Sequence, residues 1–513
     1  NMNNYQGLKL QLNELIDSLE DRTFTKFKEA LLDKTSNVYV KEWKDSNLAM
    51  VTNNFTKKNN NISELEKECR SVILDKETLE VVCYAFDDIY YNQDAKDFLI
   101  KNNNYEKQIQ ECFEGTMLSV FYYQGQWNVG TRRCIDAKKS TWNSSKTYYD
   151  LFLECINVSF EEFTQYLNEE NNYFFVLVHY QNKHIVDYTE YFDDPEYKKI
   201  LHVLTRKNTD HSEVKMDNEW NKKPNFIQAK DIPDNNDTLQ LSIITEMKDF
   251  SKLDNLNTKN KLDLPVKSEG LIVKMLDPET NKTILLKFQT NSYQFMGILK
   301  PNTNNIYMSF IELYQNDMLK RHLEYFPGNS KFESNNDEVY DTVGIIDATF
   351  KVLTSELFEL FRALYNLKDC SHKSGDLYSI LSTEYTIALY RIRGIYYKKK
   401  EKYIKSKQAE SESESENQNN TQLNTGLRIF DIYNMLKYTY DTKDLLKLLR
   451  ARKLLFYKCS KDSTDDKHKK ILNLSHRCDK VSIKMITIML NNMFPKDNSI
   501  DLQGSQDENS ENI

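Results

Sequence analysis

Residues 7 to 35 place apolar side chains at helical spacing, with Leu8, Leu10, Leu12, Leu15 and Ile16 ahead of Phe24, Phe27 and Leu31. From residue 71 the period shortens. Residues 71–75, 79–84, 117–123 and 127–131 read as short strands, with Gln124, Gly125 and Gln126 as a hairpin turn. Residues 174–178 and 184–188 continue the strand series, and strand texture returns at 270–274 and 283–288 after a polar insertion over 205–265. Past residue 300 the period is helical again. Leu353, Leu357, Leu360, Phe361 and Leu364 line one face, and Leu377, Ile380, Leu381 and Tyr385 another. Residues 408–425 are acidic, polar and of low complexity, and read as a disordered linker. Helical patterning resumes over 426–495, and 496–513 is a polar tail. The pattern predicts an α+β protein: an antiparallel-sheet domain over 1–300, an all-helical domain over 301–407, and a helical segment over 426–495.

At 513 residues, with 39% hydrophobic and 28% charged side chains, the chain has enough apolar material for several globular domains. Its net charge of −8 gives no global pull toward nucleic acid. The charge is uneven, however: residues 426–495 hold 15 Lys or Arg against 7 Asp, or +8. The eight cysteines include no Cys-x-x-Cys pair, which argues against a zinc knuckle or a disulfide framework. His179, His184 and His202 form no metal set. With no signal-peptide core over residues 1–10 and no long apolar run, a cytoplasmic protein without a membrane span is expected.

Five segments occur in an order that carries more information than any one of them. They are Glu68-Cys69-Arg70 with the strand after it; Glu111-Cys112-Phe113-Glu114-Gly115 with the strand pair that follows; 173–178 with 184–188; Ser268-Glu269-Gly270 through Lys274; and Leu286-Lys287-Phe288-Gln289. In this order they resemble the ATP-dependent RNA ligases of the phage tRNA-repair type, members of the covalent nucleotidyltransferase superfamily. The likeness covers roughly residues 60 to 405 and implies a nucleotidyltransferase fold with a helical C-terminal region.

The resemblance breaks where the chemistry lies. In that family a Lys in the pattern Lys-x-Asp-Gly attacks the α-phosphate of ATP and carries AMP. Here Cys112 stands for the Lys and Glu114 for the Asp. Val176 stands where the third motif has a Glu, and Gln289 replaces the second Lys of the fifth. Arg70, Glu269, Lys274 and Lys287 remain as remnants of the nucleotide pocket. The resemblance thus implies an inactive enzyme that needs no cofactor. The alternative is an RNA ligase or other nucleotidyltransferase with a rearranged site, using ATP and magnesium and a neighbouring amine such as Lys107.

Two further signals lie downstream. Tyr440 is followed at the fifth and sixth positions by Leu445 and Leu446, with Leu449 one turn on. The segment resembles the Tyr-x-x-x-x-Leu-apolar motif with which translation-initiation scaffolds, and the repressors that mimic them, bind the cap-binding initiation factor as a helix in a groove. The same leucines would equally suit the core of a small helical domain. The basic run Arg391, Arg393, Tyr396, Tyr397, Lys398, Lys399 and Lys400 offers cations and rings to RNA, or else forms a solvated helix face. The reading that joins these signals is an adaptor, cellular or viral. It would have an inactive RNA-ligase fold, hold the cap-binding translation initiation factor and RNA, and act as a scaffold in cap-dependent initiation. A translational repressor is the alternative, and an initiation RNA helicase is a further candidate partner.

Overall fold

The computed structural model describes residues 7–55, 61–142, 145–182, 184–214, 226–228, 231–232, 266–300, 305–333, 338–373, 375–412 and 426–495. Strand β9 (Asn171–His179) carries an unbroken apolar run over residues 173–178, and such a run has to be covered on both faces. It lies in the middle of a five-stranded sheet, between β7 (Thr116–Tyr123) and β10 (Lys198–Lys207), with β8 (Gln126–Thr131) and β11 (Phe226–Gln228) at the edges. Tyr173, Phe175 and Leu177 pack on the helix Tyr148–Ile156, while Phe174 turns to the opposite layer with Phe121 and Leu204. Gln124 and Gly125, both at positive φ, make the two-residue turn between β7 and β8.

A second five-stranded sheet runs in the order β12 (Asp231–Ile232), β6 (Glu106–Cys112), β13 (Gly270–Leu276), β14 (Thr283–Gln289) and β5 (Tyr90–Tyr91). One of its faces is covered by the helix Asn92–Lys101, where Ala95 meets Val273 and Leu286. A four-stranded antiparallel sheet, β1 (Val38–Glu42), β2 (Leu48–Asn53), β3 (Ser71–Asp75) and β4 (Val81–Tyr84), is covered by the helices Gln11–Asp17 and Phe24–Lys34. Met50 and Ile73 from this sheet, Phe121 and Phe174 from the first, and Leu285 from the second share one cluster where the three sheets meet. Glu68 is fully buried. It accepts hydrogen bonds from the Gln11 and Leu12 amides at 2.8 Å each and pairs with Lys282 at 2.6 Å, so the N-terminal helix is tied to this framework through a charge.

The chain divides into two compact units, Asn1–Ile298 and Leu299–Ile513. Among its described residues the second has helices and a short hairpin, and its main helices are α1 (Ile306–Gln315), α2 (Thr342–Leu364), α3 (Thr383–Glu412), α4 (Thr442–Lys461) and α5 (Lys480–Met493). In α2, Asp341 caps the Gly344 amide at 2.8 Å, and Leu353, Leu357, Leu360 and Leu364 are buried at three- and four-residue spacing. At the centre of this unit the Arg452 guanidinium pairs with Glu356 through two bonds of 2.8 and 2.7 Å, and Ser475 donates to the same carboxylate.

Three sequence expectations change. Residues 184–188 form no strand, because the Ile185 and Val186 amides donate to the Glu114 carboxylate and Asp187 donates to the Val266 carbonyl. Residues 408–412 continue α3, so that part of the expected linker is helical, while 413–425 and the tail at 496–513 lie outside the described residues. The 426–495 block is not a separate segment. Ile432, Leu436, Leu445, Leu449 and Leu490 belong to the same apolar core as Phe310, Leu353 and Leu389. Most of the expected 205–265 insertion also lies outside the described residues, apart from 205–214, β11 and β12. No helix among the described residues is long and apolar enough to cross a membrane.

Candidate functional site

The three strands β6, β13 and β14 bring the sequence motifs onto one face. Cys112 stands opposite Gly270, which stands opposite Gln289; two residues along, Gln110 stands opposite Ile272, and Ile272 opposite Lys287. Period-2 alternation turns Cys112, Lys287 and Gln289 to the same side. Gly270, at φ +148°, is required there, since a Cβ on it would lie 1.9 Å from the Phe288 carbonyl oxygen. The corner from Cys112 to Gly115 then passes from this sheet into β7 of the other. Gly115 approaches β9 so closely that a Cβ would meet the Leu177 carbonyl at 2.3 Å and Val176 at 2.7 Å.

The charges on this face are already spoken for. Glu269, 3% exposed, lies 3.5 Å from the Cys112 sulfur and accepts from Lys287 at 3.1 Å and from Gln289 at 3.2 Å. Gln289 is fixed further by Asn92, which receives its backbone N–H at 2.9 Å and donates to its side-chain oxygen at 3.0 Å. Burial pushes the Cys112 thiol far up, and the Glu269 carboxylate adds to this while Lys287 opposes it. The thiol therefore stays protonated, which removes its nucleophilicity. Burial works against the Lys287 ammonium, but the Glu269 carboxylate beside it favours the charged form, and its pKa is raised.

Glu114 is also engaged within the protein. Its carboxylate accepts the Ile185 and Val186 amides at 2.8 and 2.9 Å, and burial raises its pKa. Its own amide donates to the Tyr188 hydroxyl at 2.6 Å, while Phe113 packs among Tyr188, Tyr191 and Phe192. Lys274 donates to the Val203 carbonyl at 2.9 Å. A catalytic magnesium needs free oxygen ligands. With Glu269 held by Lys287 and Gln289, and with Val176 offering no oxygen, these residues do not fit one. Lys107 points from the opposite face of β6 and stands five residues from Cys112, so it is not a substitute nucleophile at the corner.

Arg70 sits apart from this face, 3.6 Å from Asp88 and over the Phe86 ring. It has a companion that motif reading missed. Arg132, which follows β8, donates to Asn53 at 3.1 Å and lies 3.8 Å from the same Asp88. Burial, then the nearby Arg70 and Arg133, lowers the Arg132 pKa to about 9. Its only sequence signal was its place just after the β7–β8 strand pair.

The partner-binding candidates lie buried in the helical unit. Tyr440 is 7% exposed, Leu445 1%, Leu446 7% and Leu449 1%, all within the helical core. The Arg391 guanidinium lies 4.1 Å over the Tyr440 ring and pairs with Asp444 at 3.1 Å. The buried Gln315 amide donates to the Leu436 and Tyr440 carbonyls at 2.9 and 3.0 Å, and Thr442 donates to the Gln315 oxygen at 2.6 Å. These bonds close the break between the π-helical turn Met435–Thr439 and α4. The basic run is split in the same way. Arg391 is paired as above, Arg393 lies over the Tyr365 ring, Tyr396 is buried with its hydroxyl donating to the Lys368 carbonyl, and Lys399 pairs with Asp431 at 2.5 Å. Tyr397, Lys398 and Lys400 remain exposed.

No protein-family profile matches the chain. Over 83 residues it is 32% identical to an Immediate-early protein ICP-46 homolog of Invertebrate iridescent virus 3, covering 15% of this chain and 18% of that protein. The ICP-46 homolog of Invertebrate iridescent virus 6 is 36% identical over 61 residues, covering 12% and 13%. The chain thus spans under a fifth of the length of these curated relatives. Among solved structures, two forms of an archaeal ATP-dependent RNA ligase are similar at TM-scores of 0.34 each, with 11% and 13% identity. Each likeness covers 62% of this chain and 74% of the ligase.

Proposed function

We propose that this protein binds RNA and does not transfer nucleotides, using a ligase-like body whose reaction centre has closed and a helical unit that carries the positive charge. The observation that carries this reading is the Cys112 corner. A buried, protonated thiol held against Glu269 occupies the place where covalent nucleotidyl transfer needs an amine. The remaining cation of the fifth motif is paired with that same Glu269. No cofactor is required. ATP and magnesium belong to the alternative of a rearranged ligase, which these pairings do not favour.

Incubation with labelled ATP or GTP and a divalent metal, followed by denaturing electrophoresis, should leave the protein unlabelled; a labelled band would restore the enzyme reading. The adaptor version, with Tyr440, Leu445 and Leu446 gripping the cap-binding initiation factor, requires that segment to leave its own core. Pull-down of that factor by the intact protein is therefore expected to fail, as it is for the repressor version that relies on the same residues. RNA is the partner this reading retains, because the excess charge of residues 426–495 includes side chains exposed on α4.

A further inference from the structure

Helix α4 has two faces of opposite character. Leu445, Leu448, Leu449, Arg452 and Cys459 are buried in the helical core. On the other side Lys447, Arg450, Leu454 and Lys458 follow one another at three- and four-residue spacing. Beside this stripe the beginning of α3 and the turn Asp376–Ile380 leave a groove of about 550 Å³. Ile380, Leu454 and Leu455 give it an apolar floor, and the three cations of the stripe face a single carboxylate, Glu384. Leu454 is 42% exposed, and Lys447 and Lys458 form no ion pair among the described residues. Lys467 reaches Ser379, the residue before Ile380, at 3.3 Å.

Length selects the ligand. The eleven steps from Lys447 to Lys458 rise about 16 Å along the helix, too far for one phosphate to meet both cations. A strand with a phosphate every few ångströms does meet them, releasing counterions as it binds. Because the floor between the cations is apolar, the occupant must also offer an uncharged face, which an unpaired base has and a base stacked inside a duplex does not. We propose that this groove holds a single-stranded RNA segment, with its phosphates on Lys447, Arg450 and Lys458 and a base against Leu454. Helix α4 lies beyond the residues that carry the ligase resemblance, and every residue that lines the groove belongs to the helical unit. The inference rests on reading the protein as an RNA binder.

The test is fluorescence anisotropy of the full chain with a short fluorescein-labelled single-stranded oligouridylate across a salt series. Lys447→Glu with Lys458→Glu should weaken binding at least about tenfold and flatten the salt dependence by about two, one for each lost phosphate contact. Lys34→Glu with Lys44→Glu, exposed in the other unit, should leave affinity within about twofold. If the reversed α4 pair melts early, Lys447→Gln with Lys458→Gln serves in its place. An intact chain that binds RNA but ignores the α4 pair overturns the groove and leaves the RNA reading standing. So does equal loss from both pairs, or displacement of the strand by polyglutamate or duplex RNA as readily as by unlabelled strand. An intact chain that binds no RNA overturns both.

Discussion

Cys112 is where motif reading was most informative and most incomplete. Its place was legible because five motifs keep their order along the chain and Gly115 stands three residues on, at a point where β9 approaches too closely for a Cβ. Its environment was not legible, because Glu269, Lys287 and Gln289 come from strands more than 150 residues away, and nothing in their spacing says that they pair with one another. From this follows a prediction about repair. Cys112→Lys should not restore nucleotide labelling, since the new amine would meet Glu269 while Val176 still supplies no carboxylate and Gln289 no positive charge; denaturing electrophoresis with labelled ATP checks it. Gly270→Ala should cost about 2–4 kcal/mol, read as a fall in urea midpoint, because a Cβ there meets backbone and not a movable side chain. A variant of wild-type stability would mean that β13 and β14 are not paired as described.

At the level of elements, strands came through better than their ends, and helices better than their faces. Residues 184–188 have strand composition but spend two backbone amides on Glu114, a tertiary demand that local pattern cannot report. Tyr440, Leu445, Leu446 and Leu449 have a spacing that suits a partner's groove and a core equally well. What decides between them is Gln315 and Arg391, both distant in sequence. Leu445→Ala should therefore destabilise the protein by about 2–5 kcal/mol, as a buried leucine does, whereas a surface anchor would leave stability nearly unchanged. Gln315→Ala should cost about 1–3 kcal/mol by leaving buried carbonyls without a donor. Chemical denaturation of the purified full chain reads both.

Across the whole molecule, pH reports on histidines that fold in the neutral form. His202, buried beside Thr205 and near Lys274, is lowered to about 4 chiefly by burial; His211, beside Arg206 and Asp210, is lowered to about 4 for the same reason. The unfolded chain takes up these protons near the ordinary value of 6.5 and the folded chain only near 4, so stability is lost as pH falls through that window. His202→Gln and His211→Gln should each show a shallower drop in melting temperature between neutral and mildly acidic buffer than the parent. An unchanged slope would mean that these rings are solvated. The two-unit organisation was legible only in part, because a low-complexity stretch reads as a boundary even where the helices on either side of it share a core. The most direct test of the central claim, that the Cys112 corner has lost covalent chemistry, is intact-mass spectrometry of the full chain after incubation with ATP or GTP and magnesium or manganese. The expected spectrum shows the unmodified chain alone, and a nucleoside monophosphate adduct on any residue would contradict it.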